Sequence, residues 1–125
     1  MTTVYISTRR AFEAAHYLPL LPADHKCKRL HGHNYSIEVI LRTDVYPGDI
    51  GMAIDYADLD SAIDNMIISV CDHRLLNEID GLTNPTGENI AMWAGRRLQK
   101  SLPTLHEVRV WETPNYCAIV FARDL

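Results

Sequence analysis

Several things are missing from this chain, and each absence narrows what it can be. There is no run of about 18 consecutive apolar residues, and the opening MTTVYISTRR carries no apolar segment of the signal-peptide kind, so neither membrane spanning nor export is expected. Blocks of like charge are absent too. With Lys+Arg 12 against Asp+Glu 16 the net charge is -4, which argues against a nucleic acid or an anionic membrane surface as the main partner. Any anion site must come from a local basic cluster. Cysteine is scarce and odd in number: Cys27, Cys71 and Cys117 cannot all pair, and disulfides are not expected in the cytosolic compartment this composition implies. No linker composition interrupts the 125 residues, which fit one domain, 1–125. With 47% apolar and 22% charged residues, disordered and fibrous classes are excluded.

What is present is strong patterning. Val4, Ile6, Phe12, Ala14 and His16 share one parity of an extended segment over residues 4–16, which aims His16 at the apolar side. A proline-containing loop, LPLLPADHKCKR, cannot continue that strand. The next strand gives the cleanest signal: His31, His33, Tyr35, Ile37, Val39 and Leu41 on one face, Asn34, Ser36, Glu38 and Arg42 on the other. VYPGDIG is a turn with Pro47-Gly48 at its corner. After Asp55, an N-cap with Asp58 three residues on, Leu59, Ala62, Ile63, Met66, Ile67 and Val70 recur at helical spacing up to Cys71. An irregular stretch leads to a second helix with the stripe Ile90, Ala91, Ala94 and Leu98, stopped by Pro103. HEVRVWET and YCAIVFA around Pro114-Asn115 form a β-hairpin in which Val108, Val110 and Glu112 share a face.

The order is therefore ββααββ, an α+β arrangement of a four-stranded antiparallel sheet with two helices on one face. Apolar residues at mixed parity, among them Ile40, Trp111, Cys117, Ile119 and Phe121, predict that something covers the other face, and a homo-oligomer is expected. Cys71 and Cys117 read as buried small hydrophobes.

Chemistry concentrates in CKRLHGHNY, residues 27–35. Histidines two apart on a strand point the same way, so His31 and His33 can reach one metal ion, and His16 at matching parity supplies a third nitrogen. Three imidazoles without a thiolate leave a fourth position open, the arrangement of catalytic rather than structural zinc. Set against this, a bare HxH is more often a pair of hydrogen-bonded rim residues. Cys27 lies between Lys26 and Lys28, cations that favour a thiolate, and is a candidate nucleophile or base. Asp72-His73 is either an orienting acid beside an imidazole or a loop cap beside a surface histidine. Glu112 is either a ligand group or a solvated strand-end glutamate.

Taken together, FEAAH, CKRLHGHNY, GMAIDYADL, CDHRLLN, NPTGENIA and WET, in this order and spacing, resemble the 6-pyruvoyltetrahydropterin synthase and 6-carboxytetrahydropterin synthase family over nearly the whole chain. The resemblance implies a tunnelling fold, in which three such sheets join into a barrel and two trimers stack. It implies zinc on His16, His31 and His33, a catalytic Cys27 assisted by Asp72 and His73, and a pterin held by Glu112 with Thr86 and Glu88. Gly87 departs from the family pattern, which often has a second hydroxyl residue there. Three residues separate Cys27 from His31. That short gap resembles the 6-carboxytetrahydropterin synthase branch of queuosine biosynthesis, whose substrate is 7,8-dihydroneopterin triphosphate. The 6-pyruvoyl branch and a non-catalytic zinc or pterin module are the alternatives.

Overall fold

The computed structural model describes residues 1–125. Its frame is a long antiparallel hairpin of β1 (Thr2–His16) and β2 (His31–Val45), in register from Thr2↔Val45 to His16↔His31. The alternation read from the sequence is carried through the pairing: Phe12 lies opposite Tyr35 with the rings stacked, Ala14 opposite His33, and His16 opposite His31. All three histidines thus share the face on which Ile37, Val39 and Leu41 are buried.

The first helix spans residues 56–71, with Asp55 as N-cap accepting from the amide of Ala57. A π turn over Asp64–Ile68 interrupts it before it ends at Cys71. The Met66 carbonyl in that turn accepts from Arg97 Nε of the second helix at 3.0 Å, so the locally irregular backbone stays satisfied. The second helix, Gly87–Gln99, opens on Thr86, whose hydroxyl accepts from the Asn89 amide, and it ends short of Pro103. Both helices lay apolar stripes on one sheet face: Leu59, Ile63, Ile67, Ile90, Ala94 and Leu98 pack into one core with Ile37, Val39, Val108 and Val110. Each large side chain fully buried this way contributes about 1.5–3 kcal/mol.

β4 (Leu105–Thr113) and β5 (Tyr116–Phe121) form the expected hairpin, and β4 joins β2. Two expectations need correction. The sheet has five strands, not four: a two-residue strand β3 (Arg74–Leu75) follows the first helix and pairs in parallel with Ala14 and Ala15, giving the order β3-β1-β2-β4-β5. So short a strand has no period for a sequence to display. Cys117 is half-buried rather than core, because its position faces away from the helices.

That second face mixes charged and aromatic side chains with the aliphatic Ile40 and Ile119. Arg9 stacks over Trp111 at 4.3 Å, and Arg109 holds Glu107 at 3.0 Å and Glu38 at 3.4 Å. Ile119 is exposed on β5. Apart from its short bridge to β3, β1 has a free edge, and β5 forms the opposite free edge.

Candidate functional site

At the His16/His31 end of the hairpin the three imidazoles converge. Their candidate ligand atoms lie within 4.8 Å of one another. His16 is 1% exposed, and its Nδ1–H donates to the Pro85 carbonyl at 2.8 Å. His31 Nδ1–H donates to the Arg29 carbonyl at 2.6 Å. With both Nδ1 atoms committed as donors, the neutral rings present bare lone pairs at Nε2, and these face each other at 2.9 Å. Two lone pairs at that distance repel unless a cation lies against them. The donor set therefore fits a metal ion, with backbone carbonyls fixing the tautomers from behind.

Burial pushes His16 down to about 4, with neighbouring His31 and His33 acting in the same direction and the Pro85 hydrogen bond against it. His33 is lowered as well, mainly by burial, with Glu112 opposing. Both rings are thus held neutral, the form that binds metal. Tyr35, fully buried, closes the floor: its ring lies edge-on to His16 and His33, and its hydroxyl has no partner within the chain.

Glu112 arrives from β4 on the same face, with Oε2 3.9 Å from His33 Nε2. A cavity of about 360 Å³ adjoins it, lined by Leu18, Thr86, Gly87, Glu88 and Glu112, among others. Thr86 and Glu88 both border this space, although the Thr86 hydroxyl is already engaged as the helix cap. A Cβ at Gly87 would stand 3.7 Å from Glu112 Oε1, so the missing side chain leaves room directly beside the carboxylate. The amides of Gly87 and Glu88, in the helix's first turn, have no helical partners and point a partial positive charge at this end.

Cys27 sits in a 3-10 turn, Lys26–Lys28, half-exposed. Its carbonyl accepts from the Leu18 amide at 2.9 Å, which folds the loop back so that the turn lies beside the chain leaving His16. The loop is pinned by residues the sequence did not single out. Asn77 accepts from the Tyr17 amide and donates to the Tyr17 carbonyl, and Asn84 accepts from the Leu20 amide. Asparagine side chains imitating backbone in an irregular stretch are a signal the sequence does carry.

Asp72 and His73 do pair: His73 Nδ1 lies 3.0 Å from Asp72 Oδ2. The Glu13 amide, first, and the His73 ring hold the Asp72 carboxyl below the usual carboxylate range. The structure does not bring this pair into contact with the three histidine rings. It stands at the β1/β3 edge beside Glu13, a position on the opposite face of β1 from His16, with His73 largely exposed. Nor do Lys26, Lys28, Arg29 and Arg74 make ion pairs; all four are exposed cations.

The sequence profile of the 6-pyruvoyl tetrahydropterin synthase family matches residues 5–123. The chain is 37% identical over 119 residues to the 6-carboxy-5,6,7,8-tetrahydropterin synthase of Synechocystis sp., covering 92% of this chain and 91% of that protein. It is 35% identical to the dihydroneopterin monophosphate aldolase of Pyrococcus furiosus, over 83% and 85% of the two chains. The Caenorhabditis elegans 6-pyruvoyl tetrahydropterin synthase structure superposes with a TM-score of 0.86 at 30% identity, covering 97% of this chain and 96% of that one.

Proposed function

The chain belongs to the 6-pyruvoyl tetrahydropterin synthase family, and from that premise we propose that it is a zinc-dependent 6-carboxy-5,6,7,8-tetrahydropterin synthase of the cytosol. It converts 7,8-dihydroneopterin triphosphate to 6-carboxy-5,6,7,8-tetrahydropterin, acetaldehyde and triphosphate in queuosine biosynthesis. The observation that carries this reading is the convergence of His16, His31 and His33 at the same end and on the same face as Glu112, beside a ring-sized cavity. The short gap from Cys27 to His31 and the similarity to the Synechocystis enzyme favour the carboxy branch.

In this reading Glu112 accepts two hydrogen bonds from the amidine edge of the pterin, a charge-assisted contact that fixes the ring. The free amides of Gly87 and Glu88, beside the Glu112 carboxylate, suit a ring acceptor next to that edge, a backbone substitute for the hydroxyl missing at Gly87. His16, His31 and His33 would hold the zinc ion, which would supply Lewis acidity at the substrate's side-chain hydroxyls. Cys27, off the metal, is then a stronger base than a ligated sulfur, and its thiolate takes a proton from the side chain. His73, oriented by Asp72, moves the complementary proton. Lys26, Lys28, Arg29 and Arg74 are the cations available to the triphosphate.

Because Asp72 and His73 stand at the β1 edge, they serve the site of a neighbouring copy. The free β1 edge of one chain pairs with the free β5 edge of the next, three sheets close into a barrel, and two such trimers stack. A sedimentation mass equal to one chain at micromolar concentration would contradict this assembly.

The 6-pyruvoyl activity is the nearest second reading, favoured by the close superposition on the C. elegans structure. Cys27→Ala tests catalysis itself. Turnover should fall by ~100-fold or more, the contribution of a positioned proton-transfer group. A variant with full turnover would take Cys27 out of the chemistry, and a zinc-loaded parent without turnover would reduce the site to a binding module.

A further inference from the structure

One residue of β1 grips the Asp72-His73 pair at two backbone points. The Glu13 amide donates to Asp72 Oδ1 at 2.9 Å, and the Glu13 carbonyl accepts from the His73 amide at 2.6 Å. Between these bonds His73 is held at φ 58°, the one non-glycine residue with positive φ, a conformation a Cβ disfavours and only surrounding contacts maintain. With Nδ1 engaged by Asp72, the nitrogen left for chemistry is Nε2. The acidic group the structure sets beside it is the Glu13 carboxylate, Oε2 at 3.9 Å.

A glutamate 68% exposed on a strand would ordinarily be a solvated surface group. Here both backbone bonds fix its Cα beside His73, which keeps the carboxylate within reach of the imidazole. A separation of 3.9 Å exceeds a hydrogen bond, and contacts of this kind tighten when substrate is bound. The other charged or titratable groups around the same surface depression are Arg74, next in the chain, and His33, while Asn34 on β2 is neutral.

We propose that Glu13 is a positioning residue for His73 and its proton outlet. The Glu13 backbone sets the imidazole in place. When His73 has taken a proton at Nε2, the Glu13 carboxylate accepts it, leaving neutral imidazole, and the resulting carboxyl returns it to water. The inference rests on the reading of His73 as an acid-base partner.

The test uses the zinc-loaded full chain as parent, E13Q and E13A, with dihydroneopterin triphosphate as substrate and ¹⁵N spectra of the histidine rings. In E13Q kcat should fall on the order of tenfold while KM stays within about twofold. Added formate should restore most of the kcat of E13A, which a purely structural role would not allow. A kcat equal to the parent's in E13Q, or no rescue of E13A, overturns the outlet. Independently of turnover, the His73 Nε2 resonance should move in E13Q while Nδ1, held by Asp72, does not; identical spectra overturn the contact. If the parent turns nothing over, the functional reading fails, and the spectra still decide whether Glu13 holds His73.

Discussion

His16 Nε2 lies 2.9 Å from His31 Nε2, and each ring donates its other nitrogen to a backbone carbonyl, of Pro85 and Arg29 respectively. Neither nitrogen of the facing pair has a proton to offer in the neutral form, so the arrangement is complete only with a cation. The protein should therefore bind one zinc ion per chain. His33→Ala should weaken binding by more than the ~10–100-fold that loss of an outer partner costs. Metal analysis after dialysis against a graded chelator reads this directly, and an unchanged affinity would remove His33 from the ligand set.

The metal-free protein should be sensitive to acid through His16. Its folded value, about 4, lies below the ordinary 6.5. The stability tied to keeping it neutral is full above about 6.5 and is lost as pH falls through about 4. Thermal unfolding of the metal-free chain should show Tm dropping across that window, and His16→Gln should flatten the drop. An equal slope in both proteins would place the acid sensitivity elsewhere.

Thiol labelling should separate the three cysteines. Burial pushes Cys71 up to about 12, and no part of it is exposed, so it should stay unreactive at pH 8 until the chain opens. Because its folded value is raised, the stability it contributes is full below about 9, its unfolded value, and is lost as pH rises through about 12. Half-exposed Cys27 should label first. Mass mapping of the alkylated peptides checks the order, and early labelling of Cys71 would contradict its place in the core.

Replacing Glu112 by Gln keeps the shape and removes the charge. A charge-assisted bond is worth about 1.5–3 kcal/mol and the amide keeps one of the two acceptor oxygens, so kcat/KM should fall roughly ten- to a hundredfold, with zinc content unaltered. A loss of zinc alongside activity would mean that Glu112 supports the metal instead.

Much of this was legible in the sequence because it rests on short-period geometry. The parity that groups His16 with Phe12 and His33 with Tyr35 is enforced by the β1–β2 register, and the stripes Leu59–Ile67 and Ile90–Leu98 are the faces the helices bury. The Pro114-Asn115 turn joins Thr113 to Tyr116 as expected, and the outer strand ends fall within one residue of the reading. What stayed hidden depends on tertiary placement. β3 is two residues of pairing with no pattern of its own, and the π turn at Asp64–Ile68 answers to Arg97 on another helix. Cys117 lies in an apolar run, yet its face is not the helix-covered one. Asp72 and His73 are neighbours in sequence, but only the fold reveals that they stand at the sheet edge, out of contact with the three histidine rings.

The most direct test of the central claim is product identification by mass after zinc-loaded protein is incubated with 7,8-dihydroneopterin triphosphate. The account predicts 6-carboxy-5,6,7,8-tetrahydropterin with acetaldehyde and triphosphate. A pyruvoyl product with triphosphate but no acetaldehyde would move the chain to the sister branch, and unchanged substrate in the presence of bound zinc would contradict the account altogether.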